Sequence, residues 1–278
     1  MAYLEVRDVH KSHVSPRATT HVLGGASLSL DEGEFVAIVG YSGSGKTTLI
    51  SLIAGLIPPD RGEIALDGAR VTGPGPDRGI VFQQYSLLPW MTVRDNVLLA
   101  VDAVDGDRPA AERRRRAEEL IALVNLAPAI GKRPSELSGG MRQRVAVARG
   151  LAMRPKVLLM DEPFSALDAL TRATLQDELL RIWNERRSTV VLVTNDVDEA
   201  ILLADRIYPM TRGPGAVLGA PIEVGLPRPR ARRHMSLVPA YQKARREIVD
   251  FLRACRPASG PGVAEPLAGE AWQIGGAG

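Results

Sequence analysis

An α/β fold, with a mostly parallel sheet covered on both faces, is predicted by three features of the chain. Short apolar runs at 34–39, 79–82, 157–160 and 189–193 alternate with stretches that carry Leu, Val and Ala at spacings of three and four. That is the pattern of strands joined by crossover helices. The first run opens directly into Gly40-Tyr41-Ser42-Gly43-Ser44-Gly45-Lys46-Thr47, a complete GxxxxGK[ST] loop, and a helical pattern follows over 46–56. The third run, Val157-Leu158-Leu159-Met160, ends on the paired carboxylates Asp161-Glu162, which are expected to emerge beside that loop.

The remaining elements follow in order. Residues 2–9 and 26–30 alternate enough to read as strands. Pro58-Pro59-Asp60-Arg61-Gly62 is turn chemistry. Residues 63–66 read as a strand closed by Asp67-Gly68, a hairpin signal. Between 85 and 155 the pattern turns helical, an insertion in the sheet domain. Helices are expected at 167–186 and 196–204, the second leading into a strand at 206–209. Past 212 the chain is rich in Gly, Pro and Arg; 235–254 fits one amphipathic helix, and the last two dozen residues have the composition of a disordered tail. There is no internal repeat.

The 278 residues give room for one or two domains with a real core. Apolar residues at 45% and charged residues at 24% are ordinary for a globular protein, and a net charge of +3 with both signs interspersed does not call for a nucleic-acid partner. The single Cys255 excludes an internal disulfide and fits a reducing compartment. Residues 1–11 are polar, so no signal peptide is expected, and no apolar run approaches the ~18 residues that span a bilayer. A membrane pore, where one is needed, belongs to another chain.

Glycines in the loop at 40–47 let backbone N–H groups turn inward on phosphate oxygens, and the following helix adds its positive N-terminal end. Lys46 is then expected on the β- and γ-phosphates, Thr47 on Mg²⁺ and Thr48 near the α-phosphate. Asp161, at the end of an apolar strand, is suited to the Mg²⁺ shell. Ser138-Gly139-Gly140 opens a helix at 141–152 that ends at Arg154-Pro155, with Ser138 as cap and two bare glycines that let a phosphate approach.

The stretch Pro134-Ser135-Glu136-Leu137-Ser138-Gly139-Gly140-Met141-Arg142-Gln143-Arg144, lying between the glycine loop and the Asp-Glu strand, narrows these alternatives. On these motifs the chain resembles the ATP-binding cassette (ABC) ATPases, the motors of membrane transporters, over residues 1–225. The resemblance implies a P-loop NTPase (RecA-like) core at 1–84 and 156–225, with an N-terminal antiparallel β-subdomain. It implies an inserted helical subdomain at 85–155, and leaves 226–278 as a C-terminal extension. ATP and Mg²⁺ are the implied cofactors. Glu162 is implied as the general base, and Ser165-Ala166-Leu167-Asp168 matches the family's D-loop. Ser138, Gly139, Gly140 and Gln143 are implied to close over ATP held by a second cassette, in a head-to-tail dimer with two ATPs. Gln83, after the strand at 79–82, takes the place of the Q-loop glutamine in preference to its neighbour Gln84, touching Mg²⁺ and the attacking water. Trp90, in Leu87-Leu88-Pro89-Trp90, suits a groove for a helix of the membrane subunit and equally reads as a core residue.

Two positions depart from the family pattern. Asn195 stands where a histidine is usual, and can donate a hydrogen bond to a γ-phosphate oxygen but cannot carry charge. His13 aligns with the aromatic that stacks on adenine, and reads equally as a loop residue. The arginines at 113–116 read as a solvated helix face rather than a binding patch, and Arg228, Arg230, Arg232 and Arg233 as a plain basic tail rather than a surface for anionic lipid or a partner.

The resemblance therefore implies the ATP-hydrolysing subunit of an importer, peripheral on the cytoplasmic face of the inner membrane. Its implied partners are a second ATPase, homo- or heterodimeric, two membrane permease subunits and, indirectly, an extracytoplasmic solute-binding protein. Ser86-Leu87-Leu88-Pro89-Trp90, the segment 194–200 and the segment 207–215 look like the branch that imports nitrate, sulfonates and taurine. Thr194-Asn195-Asp196 and Gly213-Pro214-Gly215 lean toward nitrate or a similar small anion. The alternatives are the ATPase of an exporter or lipid transporter, or a soluble ABC ATPase. The latter would show two cassettes, a coiled-coil insertion or zinc cysteines, none of which the sequence contains.

Overall fold

The computed structural model describes residues 2–15, 18–230 and 232–255. Strands β1 (Leu4–Ser15) and β2 (Ala18–Leu30) pair antiparallel from Leu4 opposite Leu30 out to Ser15 opposite Ala18. Both outrun the alternating segments expected from the sequence. Their outer halves are polar and exposed, so they have no buried face to impose alternation. β4 (Arg61–Leu66) pairs with β1, and β5 (Ala69–Arg70) closes a hairpin on it. Asp67 and Gly68 take φ values of 51° and 73° between those strands, the left-handed pair that a two-residue hairpin turn requires.

The central sheet runs β10-β9-β3-β8-β7-β6, from β3 (Phe35–Gly40), β6 (Arg78–Val81), β7 (Val157–Asp161), β8 (Thr189–Thr194), β9 (Arg206–Met210) and β10 (Ile222–Glu223). All neighbours are parallel except the edge strand β10. Its apolar runs are buried on both faces. Phe35, Ala37 and Val39 face one core with Leu158, Met160, Val190 and Leu192. Val36 and Ile38 face a second core with Val157, Leu159, Val191 and Val193. The N-terminal sheet and α1 (Lys46–Ile53) supply that second core; the other helices supply the first.

Between β6 and β7 lie α2 (Val93–Asp105), α3 (Ala110–Leu123) and α4 (Gly139–Ala152). Helix begins at 93 rather than 85, because Thr92 caps α2: its Oγ1 accepts from Asp95 N (3.2 Å) while Thr92 N donates to the Asp95 carboxylate (3.2 Å). The arginines at 113–116 form a solvated face only in part. Arg113 and Arg116 reach back to Asp102 and Asp105 of α2, and Arg116 also donates to Ala152 O (2.7 Å).

After β7 come α5 (Ala169–Arg186), α6 (Val197–Leu203), α7 (Arg232–Met235) and α8 (Pro239–Ala254). The single helix expected at 235–254 is present but starts later, with Pro239 opening α8 and Met235 ending the short α7. Tyr241, Ala244 and Ile248 of α8 join the first core. The reading of Arg228, Arg230 and Arg232 as a basic tail is overturned. Arg228 pairs with Asp205 (2.8 Å) and lies over the Trp183 ring (4.1 Å). Arg230, 3% exposed, donates to the carbonyls of Ile201 (2.9 Å), Leu202 (3.1 Å) and Ala204 (2.6 Å). The last turn of a helix leaves carbonyls without internal donors, and a guanidinium satisfies several at once. The expected disordered tail lies outside the described residues.

Candidate nucleotide site

The glycine loop runs from the end of β3 into α1. Gly43 and Gly45 take φ values of 77° and 97°, which side chains rarely adopt. Gly45 is also pressed against β2: a Cβ there would lie 2.8 Å from Val22 Cγ1. Ser44 is buried, its Oγ against Met210 Sδ (3.6 Å), and Gly40 is closed in by Met210 as well. Ser42 stays exposed, and the first turn of α1 presents Lys46, Thr47 and Thr48 with backbone N–H groups ahead of the helix's own bonding ladder.

Lys46 Nζ donates to Gly40 O and Tyr41 O, both at 2.9 Å, and sits 3.3 Å from Glu162 Oε1. The sheet therefore delivers the lysine at the end of one strand to the carboxylate at the end of another. Glu162 has φ 43°, a strained conformation for a non-glycine residue, and its N–H donates to Val193 O (3.0 Å). Thr47 Oγ1 donates to Asp161 Oδ1 (3.1 Å). Burial pushes the Asp161 carboxyl up, opposed by the Thr47 hydrogen bond, and the Glu162 charge pushes it further up.

Gln83 joins this cluster by a relay: its Nε2 donates to Ser165 Oγ (3.1 Å), which donates to Glu162 O (2.9 Å). Asn195 is exposed just past β8, two residues beyond the Val193 carbonyl that holds Glu162. His13 is exposed and pairs with Thr20 on the outer hairpin, whose β2 strand packs on Gly45 at Val22. Asp168 caps α5, accepting from Leu170 N (3.1 Å) and Thr171 N (3.0 Å); the Thr171 hydroxyl first, and then these backbone bonds, hold its carboxyl below the usual range.

At the start of α4, Ser138 is exposed and its Oγ accepts from Met141 N (3.3 Å). Two expectations for this motif are corrected. Gly140 is buried, and a Cβ there would lie 2.4 Å from Thr171 Cγ2, so its bareness serves the packing of α4 on α5. Gln143 is 0% exposed, among Val124, Phe164 and Leu175, and its side chain faces the interior rather than a nucleotide. Residue 143 lies one turn on from Gly140, on the same buried face of α4.

Two contributors escaped sequence reasoning. Arg149 of α4 donates to Ser86 O (2.5 Å) and Tyr85 O (3.1 Å), tying the segment after Gln83 to the helix that starts at Ser138. Asn96, 1% exposed, accepts from Leu88 N (2.9 Å) and donates to Leu88 O (3.2 Å) and Thr92 O (3.0 Å). It thereby fixes the loop that presents Trp90. Trp90 is 68% exposed, which removes the core-residue alternative. An Asn four residues into a helical pattern is the only sequence signal either feature left.

A parallel sheet with a glycine loop, its lysine on a strand-end carboxylate and a Thr–Asp pair beside it defines a phosphate-loop nucleoside triphosphatase. The chain belongs to the ABC transporter family, whose sequence profile matches residues 23–165. It is 53% identical to the nitrate import ATP-binding protein NrtC of Synechococcus elongatus over 92% of this chain and 39% of that protein. It thus spans about two fifths of that relative's length. From the same organism, the bicarbonate transport ATP-binding protein CmpD is 46% identical and the nitrate import ATP-binding protein NrtD 47% identical. The matches cover 90% of this chain in both cases, and 90% and 91% of those proteins. Among solved structures, a dimeric post-hydrolysis state of the ATP-binding cassette MJ0796, bound to ADP and Pi, superposes with a TM-score of 0.71. The two are 33% identical, over 79% of this chain and 98% of that one.

Proposed function

We propose that this chain is the ATP-hydrolysing subunit of an importer for a small oxyanion, nitrate or bicarbonate, peripheral on the cytoplasmic face of a membrane. The observation that carries the ATPase reading is the convergence of Lys46, Glu162, Thr47 and Asp161 beyond the C-terminal ends of β3 and β7. The relatives' nitrate and bicarbonate names support the solute class. Sulfonate and taurine come next.

The residues present fit Mg²⁺. Thr47 and Asp161 offer two hard oxygens 3.1 Å apart, and the buried Asp161 carboxyl is stabilised as an anion by a cation beside it. Among the described residues no group of three acidic, histidine or cysteine side chains is placed to hold a metal, which suits an ion that takes most of its ligands from phosphates and water. Thr47 and Asp161 would hold it, with Gln83 as the further residue assigned to it, and it would supply neutralisation of the phosphate charge.

The loop N–H groups and Lys46 grip the phosphates, and Lys46 exchanges its Glu162 partner for the γ-phosphate. Glu162, freed at its strained turn, orients water and takes its proton. Gln83, through Ser165, reports that event to the helical block. Asn195 donates to the γ-phosphate. His13 lies against the adenine. Ser138 and Gly139 close over ATP on a second cassette, with Asp168 bordering that face, and the dimer drives two permease subunits and serves a solute-binding protein. Dimeric relatives support this arrangement. The core would comprise 1–84 and 156–225, with 85–155 as the rotating insertion and 226–278 as an extension.

Glu162→Gln keeps shape and hydrogen bonding but removes the base. The variant is expected to bind Mg-ATP and accumulate as a dimer in gel filtration, with turnover down by about two to four decades. Hydrolysis at the wild-type rate would remove Glu162 from this role.

A further inference from the structure

The C-terminal helix touches the nucleotide site at two places that no nucleotide contact requires. Near its N-terminal end, Tyr241 Oη donates to Asp198 Oδ1 (2.7 Å) and Arg245 Nε donates to the same oxygen (2.9 Å). Asp198 is in the first turn of α6, three residues past Asn195. Near its other end, Tyr41 of the glycine loop donates its hydroxyl to Leu252 O (3.3 Å), while Arg212 covers the Tyr41 ring at 4.3 Å. The two attachments are three turns of helix apart, roughly 16 Å along the axis.

The turn that carries Asn195 is held from several sides. Asp196 N donates to Thr194 Oγ1 (3.0 Å), and Asp196 Oδ1 accepts from Asp198 N (2.9 Å) and Glu199 N (3.0 Å), capping α6. From α5, Arg172 lies 3.7 Å from Asp196, and Gln176 donates to the buried Glu199 (2.7 Å). Arg232 of α7 in turn donates to Gln176 Oε1 (2.8 Å). Only Asp198 points away from this local network, and both its side-chain bonds come from α8. Asp198 therefore serves as the anchor by which the extension fixes the angle of α6's first turn. Asn195 lies directly before that turn, so a rotation there moves its amide.

We infer that α8 braces the site, with Tyr241 and Arg245 as positioning residues that act through Asp198 on Asn195. The inference rests on the reading of Asn195 as a γ-phosphate donor. The hydrogen bonds to Asp198 are charge-assisted, and Tyr241 is further anchored by its buried ring. The Tyr241 hydroxyl is pushed up to about 12, by burial first and then by Asp198, so it remains a donor throughout the working pH range.

The test uses the full-length chain carrying Tyr241→Phe with Arg245→Met, which removes both donors and keeps the ring and the aliphatic stem. ATP turnover is expected to fall about tenfold. Affinity for a fluorescent ADP analogue, set by the loop rather than by Asn195, is expected to stay within about twofold. Hydrogen exchange should quicken across 194–199 and stay unchanged across 46–53. Asp198→Asn should reproduce the pattern in part. Unchanged exchange at 194–199 overturns the brace, as does a uniform loss of melting temperature, turnover and affinity together. A wild-type chain that does not hydrolyse ATP would overturn the ATPase reading instead, and the exchange measurement would still decide the brace.

Discussion

Asn195 is the residue whose chemistry departs furthest from the family pattern. In the role proposed for it, its neutral amide would give the γ-phosphate an ordinary hydrogen bond where a histidine would give a charge-assisted one. Asn195→His is expected to raise steady-state turnover by about tenfold with little change in ATP affinity. An unchanged or slower rate in the assembled complex would mean that the amide suffices. Four residues on, Glu199 is 6% exposed and its carboxyl is pushed up to about 7, first by burial, with Asp196 adding and Thr194, Gln176 and Arg172 opposing. The folded group holds its proton more tightly than the unfolded one, which titrates near 4.5. Its contribution to stability is therefore full below about pH 4.5 and lost as pH rises through about 7. Glu199→Gln should raise the melting temperature near pH 8.5, by an amount equivalent to about 1–3 kcal/mol, and leave it unchanged near pH 4.5. An equal shift at both pH values would contradict burial as the cause.

At the scale of elements, Arg230 does for α6 what a C-terminal glycine motif does elsewhere. It meets the carbonyls of Ile201, Leu202 and Ala204 and, through a second edge, that of Leu226 (3.3 Å). Burial pushes its guanidinium down to about 10, with Arg228 adding to the effect. Arg230→Leu leaves those buried carbonyls without donors and should cost about 2–4 kcal/mol in urea unfolding. A cost below about 0.5 kcal/mol would mean that water replaces the arginine. The same segment reads from the sequence as a solvated basic tail, because charge runs usually are. What overrides the usual case is the end of α6, whose orphan carbonyls the one-dimensional pattern does not display.

For the whole molecule, a chain of contacts leads from the nucleotide end to the surface proposed to meet a membrane subunit. Gln83 touches Ser165 at the site, the next residues are tied to α4 by Arg149, and Asn96 sets the loop that ends on Trp90. This continuous path joins the sheet to an exposed aromatic. Among the described residues no helix is long and apolar enough to cross a membrane. Trp90→Ala should leave ATP affinity and melting temperature nearly unchanged, within about 0.5 kcal/mol for so exposed a side chain. Co-purification with the membrane subunits should weaken, and solute uptake should fall relative to ATP hydrolysis. Full retention of co-purification and uptake would take Trp90 out of the docking surface.

The sequence by itself determined what is local. The loop at 40–47, the strand ending in Asp161-Glu162, the Ser138 cap and the helix after it are contiguous stretches. Their spacing carries both backbone conformation and chemistry, and each sits where that spacing put it. Only the tertiary structure decided which side chains meet across distant segments. Gly140 is bare because Thr171 lies against it, and Gln143 turns inward because α4 buries that face. Lys46 finds Glu162, and α8 reaches both Tyr41 and Asp198. Packing between elements far apart in the chain selects these contacts, and neither hydrophobic period nor motif records which neighbour a face will meet.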